Sequence, residues 1–562
     1  MTNAELARCI TELADLMALD GGDAHRVGHY RKAATAIRRF HHSLAEMIEA
    51  GADLTRVRGI GKGLAELLRD LVHDGSSPRL DDFRARIPGE LVALMRLDGV
   101  GATRARTLRD AGIDTLAKLE AALANRATRR ISGFGPGVES RLRRSLAARA
   151  ELAGKSLLLS ADRAVEQVLA SFSSTGLKVE LAGELRRRTE IVATADLVVG
   201  TTPARLRDHV VRHFGAIVAD KPGDGPVVVL TMDGVTLRLV AAPPELLGPV
   251  AHHLTGPPAY LDALAARART AGLRLTPTGI AGFDGVTGMY GALGLPRIPP
   301  ELREDGVTIA RAEAGLPRLV TCGDITGDLH MHTTWSDGAA TPRRMVEAAS
   351  ALGYRYIAIT DHSPSMAVVA GLDAAALRTQ AAEIARVQED FPEIRILKGC
   401  EVDILPDGSL DLDDEALAEL DLVLVSVHSV LDMSEVRMTD RIVRAMENSQ
   451  VHILCHPTGR KLGRRGPCAV DLPAVLRAAR ELNVAVEVNG NPRRLDLDHR
   501  SLWLCGELGV SVVVSSDAHS VARLDNMRYG VDQARRGWLE DSQIVNTGAL
   551  ADVLGWIGRR RG

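Results

Sequence analysis

The spacing of apolar residues divides the chain into regions with different periods. Residues 1–150 place apolar side chains at i, i+3 and i+4 with few β-branched runs, which predicts helices almost throughout. Over residues 155–242 short β-rich runs appear, and Asp233-Gly234 between the last two predicts a tight hairpin. A helical stretch at 257–271 and a connector rich in Pro and Gly follow. In a chain of 562 residues these changes predict several domains.

From residue 327 onward, strand-like apolar runs alternate with amphipathic helices. Short, nearly all-apolar strands separated by helices are what a parallel sheet covered on both faces requires. Each run carries His, Asp or Glu toward its carboxyl end, although Glu487 lies a little short of it, and active sites of barrels lie at that end. We therefore predict a (β/α) barrel built from seven runs: DLHMHT, YIAITDH, IRILKGCEVDI, LVLVSVH, VHILCHP, VAVEVNG and VSVVVSSDAH.

The histidines and carboxylates at these strand ends form a candidate metal site. Strand alternation points His330 and His332 to one face of the first run. Imidazole and carboxylate ligands without thiolate suit Mn²⁺ or Zn²⁺ foremost and Fe²⁺ as a further candidate, and they argue against Ca²⁺. Nine ligands are too many for one tetrahedral ion, so we expect two or three divalent ions. The expected ligands are His330, His332, Asp337, His362, Glu401, His428, His456, Asp517 and His519, and those expected to act directly in catalysis are His330, Asp337, Glu401 and Asp517.

Three glycine pairs recur in the amino-terminal helical region. Each has the form hydrophobic-x-Gly-hydrophobic-Gly and opens a predicted helix. Two glycines allow the turn to present backbone N–H groups to an anion, and the helix dipole adds to this attraction. A tight turn is the alternative for any single copy, but the three together resemble helix-hairpin-helix motifs, which bind the DNA backbone without reading sequence. The pairs are Gly59 and Gly61, Gly99 and Gly101, and Gly133 and Gly135.

Charge and composition support a nucleic-acid partner. Residues 1–150 carry 25 Lys and Arg against 19 Asp and Glu, whereas the remainder carries 44 against 53. This asymmetry suggests a nucleic-acid anchor joined to a cation-binding body, and ordinary surface charge is the alternative. Aromatic residues make up only 3% of the chain, which argues against base recognition by stacked aromatic rings. No apolar run is long enough to span a bilayer, the amino terminus lacks a signal layout, and the six cysteines form no CxxC pair. We expect a cytoplasmic protein with reduced thiols and no membrane partner.

The motifs of the carboxy-terminal region resemble a known domain. GDLHMHTTWSDG, TDHS, GCEVDI, SVHS, CHPTGR and SSDAH are similar to the polymerase and histidinol phosphatase (PHP) domain, and all nine of its usual ligand positions are filled here. The resemblance implies a distorted (β/α)₇ barrel that holds up to three metal ions and hydrolyses phosphoesters. In the basic loop after His456, we expect Arg460, Arg464 and Arg465 to hold a phosphate backbone or leaving group; a solvated loop is the alternative.

Residues 1–540 as a whole resemble the bacterial family X DNA polymerases. VGHYRKAATAI at 27–37 is similar to a helix of their amino-terminal domain, and LGLPRIPPELRED at 293–305 is similar to the connector before their PHP domain. The resemblance implies a multidomain chain with an all-α helix-hairpin-helix region, an α+β nucleotidyltransferase-like palm and the PHP barrel. The expected domains are 1–80 (8-kDa-like, DNA-binding), 81–153 (fingers-like), 154–245 (degenerate palm), 246–318 (thumb-like region and linker) and 319–562 (PHP domain).

The palm departs from the family pattern. The resemblance implies three carboxylates that hold two Mg²⁺ ions for polymerisation. Thr194 and Thr236 stand at two of these positions, so that Asp196 alone remains. Glu184 adds negative charge where an incoming triphosphate would bind. The arginines at 186–188 either contact phosphate or form a solvated turn. We therefore predict that template-directed synthesis is lost.

The sequence thus predicts a DNA-binding, metal-dependent phosphodiesterase. Its foremost activity would be a 3′→5′ exonuclease in DNA repair, and an abasic-site endonuclease or a 3′-phosphatase would use the same chemistry. The alternatives are a small-molecule phosphoesterase of the histidinol phosphatase type, a polymerase with residual activity, and a non-catalytic DNA-binding scaffold. The glycine pairs argue against the first alternative, and the nine candidate ligands argue against the last. The oligomeric state cannot be read from these patterns.

Overall fold

The computed structural model of the protein describes residues 1, 3–38, 40, 43–57, 59–215, 227–365 and 370–561. These residues form two compact units, Met1–Ala147 and Ala148–Gly562. Every helix within the described ranges is too short or too polar to cross a lipid bilayer. Short 3₁₀ turns join longer elements at Leu54–Arg56, Ala127–Arg130, Pro244–Leu246, Pro300–Leu302, Cys322–Asp324, Val521–Asn526, Asp541–Gln543 and Val545–Thr547.

The first unit is helical, as the apolar period predicts. In the first helix, Leu6, Ile10, Leu13 and Met17 form a buried stripe at helical spacing, against which the neighbouring helices pack. The hydroxyls of Ser77 and Thr115 cap later helices by accepting backbone N–H bonds. The helices are α1 (Asn3–Leu19), α2 (Ala24–Arg38), α3 (Leu44–Glu49), α4 (Lys62–Asp74), α5 (Pro78–Arg86), α6 (Gly89–Met95), α7 (Ala102–Asp110), α8 (Leu116–Ala124) and α9 (Pro136–Glu151), whose end lies in the second unit.

An α+β segment, called the palm below, opens the second unit. Its elements are β1 (Ser156–Leu157), α10 (Leu158–Phe172), β2 (Val179–Ala182), α11 (Gly183–Arg186), β3 (Ile191–Val192), β4 (Ala195–Gly200), α12 (Pro203–Phe214), β5 (Val227–Met232) and β6 (Val235–Ala242). The sheet order is β2-β4-β6-β5, with β4 and β6 parallel and the outer pairs antiparallel. Asp233 and Gly234 take φ values of +50° and +81° between paired Met232 and Val235, which confirms the predicted hairpin.

Helices and a small ribbon follow the palm. They are α13 (Leu247–Thr255), α14 (Pro258–Thr270), β7 (Leu275–Thr276), β8 (Gly279–Ile280), α15 (Gly285–Ala292) and α16 (Val307–Ala314). Tyr260 and Tyr290 are buried in the core of this segment and share a hydrogen bond of 2.5 Å between their hydroxyls. The buried Arg303 guanidinium ties the connector down by donating to the carbonyl of Ile298.

The carboxy-terminal part is a nearly closed barrel of seven parallel strands in sequence order. Its elements are β9 (Gly327–Asp328), α17 (Pro342–Ala351), β10 (Tyr356–Ile359), α18 (Ala374–Asp390), β11 (Arg395–Asp403), α19 (Asp414–Ala418), β12 (Leu422–Ser426), α20 (Glu435–Met446), β13 (Ile453–Leu454), α21 (Leu472–Glu481), β14 (Ala485–Asn489), α22 (His499–Leu508), β15 (Val512–Ser515), α23 (Met527–Arg536) and α24 (Leu550–Arg561). The first and last strands meet where the His332 amide donates to the Ala518 carbonyl at 2.9 Å. The predicted fold class is therefore confirmed.

The palm and the barrel share a hydrophobic core. Leu495 and Tyr529, which follow β14 and β15 in the chain, pack among apolar side chains of the palm such as Leu158 and Leu197. This shared core explains why residues 148–562 form one compact unit. The finer domain boundaries expected from the sequence remain predictions.

Candidate metal centre

All nine predicted ligands lie at the carboxyl-terminal rim of the barrel. In a barrel of parallel neighbouring strands all carboxyl ends reach the same rim, so ligands that are far apart in sequence meet there. Their side chains form overlapping groups in which the ligand atoms lie within 4.8 Å of one another. These groups are His332, Asp337, His362 and His519; His330, His332 and Asp517; and His362, Glu401 and His428. His456 joins them through Glu401, with 2.9 Å between Nε2 and Oε1. We call these nine residues the ligand cluster.

Glu401 lies at the centre of the ligand cluster. Its Oε2 is 3.0 Å from His362 Nδ1 and 3.3 Å from His330 Nε2, while its Oε1 faces His456. Burial acts to raise the pKa of Glu401, but the surrounding imidazoles, His362 first, hold that pKa well below its usual value. Both oxygens of the carboxylate are turned toward ligand nitrogens and would be available to divalent ions held there.

Asp517 and Asp337 complete the anionic part of the cluster. Burial acts to raise the pKa of Asp517, but a hydrogen bond from His332 and neighbouring positive charge hold it well below its usual value. Asp337 is the most exposed ligand, and its Oδ2 lies 3.1 Å from His519 Nε2. His456 and Asp517 have φ values of +29° and +49°. Left-handed backbone costs about 1–3 kcal/mol at a non-glycine residue and is concentrated at functional sites.

The donor set fits divalent metal ions. Three carboxylates and six neutral-capable imidazoles converge there, and His330 Nε2 lies only 3.1 Å from His332 Nε2, so that two ring nitrogens face each other. The buried Nδ1 atoms of His332 and His456 have no hydrogen-bond partner within the described residues. Lone pairs that converge without donors are satisfied by cations, and imidazole with carboxylate is a ligand set for Mn²⁺, Zn²⁺ or Fe²⁺.

Glu487 supports the ligand cluster by contacting two of its histidines, a role that was not predicted from the sequence. Its Oε1 lies 2.6 Å from His330 Nδ1, and its Oε2 accepts from the His456 amide at 2.8 Å. A buried carboxylate on the far nitrogen of a ligand histidine fixes the ring orientation and raises its basicity. The signal was present in the sequence, because Glu487 stands two residues before Asn489 and strand alternation places both on one face.

Asp361 was also missed as a supporting residue. It accepts hydrogen bonds from the Thr333 amide, the Ser336 hydroxyl and the Gln380 side chain. These contacts hold the loop that leads from His332 to Asp337. Only the Asp361-His362 pair was visible in the sequence, since the donors lie on separate elements.

The structure corrects the prediction for the basic loop. Arg460 forms an ion pair with Glu190 of the palm at 2.7 Å and also donates to the Leu495 carbonyl. Its side chain is 11% exposed, so it is committed to the protein interior rather than to phosphate. Arg465 donates to the Gly459 carbonyl at 2.6 and 2.9 Å. Arg464 is exposed, and its predicted contact with DNA remains a prediction.

The three glycine pairs form the predicted kind of turn. Gly59, Gly99 and Gly133 have φ values of +93°, +83° and +84°, which favour glycine. The second glycine of each pair stands directly before α4, α7 or α9. At Gly61, as at both glycines of the third pair, an added Cβ would meet no atom within 4 Å, so these helix starts are open to a ligand. At Gly99 an added Cβ would lie 2.7 Å from Arg141 Cδ, so that a cation adjoins the second turn.

In the palm, Asp196 is the one carboxylate left of the three that the family pattern implies, and it is already paired with an arginine. Asp196 accepts two hydrogen bonds of 2.8 Å from the Arg238 guanidinium, its direct partner in the β4–β6 register. Strand alternation places Thr194 and Thr236 on the same face as this pair. The carboxylate of Glu184 accepts from the Ala193 amide at 2.6 Å and thereby holds a turn.

Both predicted interpretations of the arginines at 186–188 are wrong. Arg188 is bound by Asp162 at 2.7 and 2.9 Å and by Asp532 of α23 at 2.7 Å. Arg187 donates to the Thr255 carbonyl, and Arg186 pairs with Glu180 at 3.2 Å. All three side chains are less than 20% exposed and form internal ties in place of a phosphate contact or a solvated turn.

Comparisons with known proteins agree with this architecture. Residues 1–77 match the helix-hairpin-helix domain family, residues 91–148 the SAM-like helix-hairpin-helix tandem family and residues 328–461 the PHP domain family. Two proteins called probable phosphatases, from Syntrophotalea carbinolica and Acetivibrio thermocellus, are each 30% identical over 41% and 36% of this chain and 95% and 83% of their own.

A third relative matches the chain from end to end. The DNA polymerase/3′-5′ exonuclease PolX of Bacillus subtilis is 35% identical over 582 aligned positions, which cover 100% of both chains. The phosphatases cover about two fifths of the chain or less, whereas this match includes the helical unit and the palm as well. The chain therefore belongs to the bacterial family X DNA polymerases that carry a carboxy-terminal PHP domain.

Proposed function

We propose that this protein is a DNA-binding, metal-dependent phosphodiesterase that removes nucleotides from 3′ ends in DNA repair, and that its palm no longer polymerises. The observation that carries the proposal is the convergence of nine imidazole and carboxylate ligands at the barrel rim. Three glycine turns of helix-hairpin-helix type in the same chain supply a grip on DNA backbone. The name of the Bacillus subtilis relative includes a 3′-5′ exonuclease, which supports the proposed removal of nucleotides from 3′ ends.

At the barrel rim, the ligand cluster would hold the metal ions, and Glu487 beside it orients a ligand histidine. Divalent ions bound there, Mn²⁺ or Zn²⁺ foremost, would activate water and neutralise charge on the phosphoryl oxygens. Glu401 and Asp517 would hold these ions between the imidazoles, and Glu487 keeps His330 turned so that its Nε2 faces Glu401. Asp337 is the ligand most open to solvent and thus the one closest to an entering substrate.

Loss of polymerisation is proposed from the Asp196–Arg238 pair. A palm needs carboxylates free to hold two Mg²⁺ ions near the triphosphate. Here a permanent guanidinium charge occupies both oxygens of Asp196, and two threonines replace the other carboxylates. A cation that already satisfies Asp196 leaves no site for Mg²⁺. The palm then serves as a support, tied to the barrel through Arg188 and Arg460.

One assay tests both parts of the proposal. Purified protein is incubated with a 5′-labelled gapped primer–template and Mn²⁺, with and without dNTPs. We expect stepwise shortening in both conditions and its loss in Asp517→Ala. Lengthening with dNTPs would refute the loss of polymerisation, and shortening that survives in Asp517→Ala would refute the barrel as the nuclease.

Modified substrates separate the related activities. Primers that end in a 3′-phosphate, or that contain an internal abasic site, would reveal a 3′-phosphatase or an abasic-site endonuclease from the same site. The match to probable phosphatases supports a small-molecule phosphoesterase as the second candidate. Strong turnover of histidinol phosphate without any change to DNA would favour that candidate over the nuclease.

A further inference from the structure

Val430 combines a strained backbone with an exposed side chain in the loop after β12, two residues beyond the ligand His428. Its φ is +49°, and its side chain is 43% exposed. Left-handed backbone brings Cβ close to the following carbonyl oxygen, and a β-branched residue tolerates this least. Within the ranges that the structure describes, no other β-branched residue has such a backbone. Glycine or asparagine would fit the turn with less strain, so the fold alone does not explain a valine here.

Both chain neighbours of Val430 are fixed in place. The carbonyl of Ser429 accepts a hydrogen bond of 2.9 Å from Nη1 of the buried Arg441. On the other side, Leu431 is 6% exposed and packs in the core of the barrel. Two anchored residues thus hold the strained turn between them, and the turn keeps the Val430 side chain in solvent at the barrel rim.

A second exposed valine occupies a similar place on another rim loop. Val521 is 37% exposed and follows the ligand His519 by two residues, in the loop after β15. Two strands separate β12 from β15 in the sheet, so the two valines flank the ligand cluster at separate parts of the rim. Apolar side chains left in water forgo the stabilisation that burial gives. Apolar surface beside a charged metal site therefore suits a ligand with both a charged and an apolar part, as a nucleotide has.

We propose that Val430 contacts the base of the nucleotide whose phosphodiester lies at the ligand cluster, by packing against the face of the ring. This inference rests on the proposed phosphodiesterase function and deepens it, because it names a part of the substrate that is recognised besides phosphate. A valine makes no hydrogen bond to the base edge, so the contact accepts all four bases. The fixed turn places the methyl groups before the substrate arrives, so that less conformational freedom is lost on binding.

The test separates the stability of the turn from its use. Asparagine tolerates left-handed backbone, so Val430→Asn should leave the midpoint of thermal unfolding unchanged or raise it by about 1–3 °C. Val430→Ile keeps a β-branched apolar side chain and serves as the conservative variant. Val211→Asn is the control, because Val211 has a similar exposure of 48% but lies on α12 of the palm.

Two esters with the same leaving group report the contact with the base. They are p-nitrophenyl thymidine 5′-phosphate and methyl p-nitrophenyl phosphate, which differ in the nucleoside. For the Mn²⁺-loaded full chain, we expect Val430→Asn to raise KM for the thymidine ester about five- to twentyfold with kcat little changed, since an apolar binding contact is lost. The methyl ester should be hydrolysed as by the natural protein. Val430→Ile and Val211→Asn should match the natural protein on both esters.

Primers that end in a normal or an abasic 3′ nucleotide separate the base from the sugar, and Val430→Asn should slow the shortening of the normal primer only. Equal losses on both primers, or an unchanged KM for the thymidine ester, would overturn the assignment. A lower unfolding midpoint together with loss of bound metal would also overturn it, because Val430 would then serve the fold.

Calorimetric titration of thymidine 5′-monophosphate and of inorganic phosphate into the Mn²⁺-loaded chain keeps this inference apart from the nuclease proposal. We expect Val430→Asn to weaken binding of the nucleotide and to leave binding of phosphate unchanged. If the natural protein shortens no DNA but shows this difference, the nuclease proposal fails and the assignment of Val430 stands. If DNA is shortened and both ligands bind Val430→Asn as they bind the natural protein, the assignment fails alone.

Discussion

The barrel rim and the palm both carry buried carboxylates, and each supplies the neutralising charge in a different way. Imidazoles surround Glu401 and lie beside Asp517, and their ring nitrogens offer lone pairs and only conditional charge; the Arg494 guanidinium stays 3.7 Å from Asp517. Asp196 instead faces one guanidinium, a permanent cation at 2.8 Å. A cluster of lone pairs requires cations from solution, whereas a carboxylate paired with arginine requires none. We propose that the barrel rim takes metal ions and that the palm is closed to them.

The largest expected effect separates the two sites by metal content. We predict that Asp517→Asn lowers hydrolysis of DNA by about 1000-fold or more, because metal ions supply several kcal/mol of charge stabilisation to phosphoryl transfer. Asp196→Asn should leave hydrolysis within about twofold. Mass spectrometry of the dialysed protein should find two or three ions per chain, and fewer only in Asp517→Asn. Loss of an ion in Asp196→Asn would show that the palm binds metal as well.

The second largest expected effect concerns Glu487, which contacts the ligands His330 and His456. We predict that Glu487→Gln weakens metal affinity or activity about 10- to 100-fold, since partners of ligand histidines contribute on that scale. Titration of Mn²⁺ into the metal-free variant, followed by the DNA assay, would measure both. Glu507→Gln, which removes a carboxylate from an exposed position of α22, serves as the control. Full activity of Glu487→Gln at low Mn²⁺ would show that His330 needs no partner.

The ligand cluster was predictable because each ligand is fixed by a local signal. A histidine or carboxylate at the end of an apolar run is visible in the sequence, and strand alternation explains the pairs one residue apart, such as Asp517 and His519. Parallel topology then brings the strand ends together. The role of Glu487 was not local, since it depends on the approach of His330 from a strand 157 residues earlier in the chain.

The arginines show where local signals fail. A run of arginines reads as a surface for phosphate, but Arg188 meets Asp532 at a separation of 344 residues and Arg460 meets Glu190 at 270. Such partners depend on how the palm packs against the barrel, which no pattern within either segment states. The pairing of Arg238 with Asp196 is easier to predict than these contacts but harder than a local motif, because it follows from the register between β4 and β6.

A smaller effect tests whether the palm is closed by its ion pair. We predict that Arg238→Met lowers the free energy of unfolding by about 1–2 kcal/mol, because it leaves the buried Asp196 carboxylate unpaired. Asp196→Asn in the same chain should recover most of that loss. Chemical denaturation of the single and double variants gives the coupling. Hydrolysis of DNA should stay unchanged in all of them, and independent, additive losses would mean that the pair does not hold the palm.

The smallest effect asks whether the helical unit holds the DNA that the barrel is proposed to cut. Gly59 and Gly75 both have left-handed backbone with open space around an added Cβ, at φ values of +93° and +73°, but only Gly59 belongs to a glycine pair. Substitution by alanine should strain both by a similar amount, about 1 kcal/mol. We predict that Gly59→Ala alone weakens DNA binding, by about fivefold, because one turn loses its backbone contact with phosphate. Fluorescence anisotropy at fixed salt measures the affinity. Equal losses in both variants would assign the effect to stability, and no loss in either would mean that the first turn does not hold DNA.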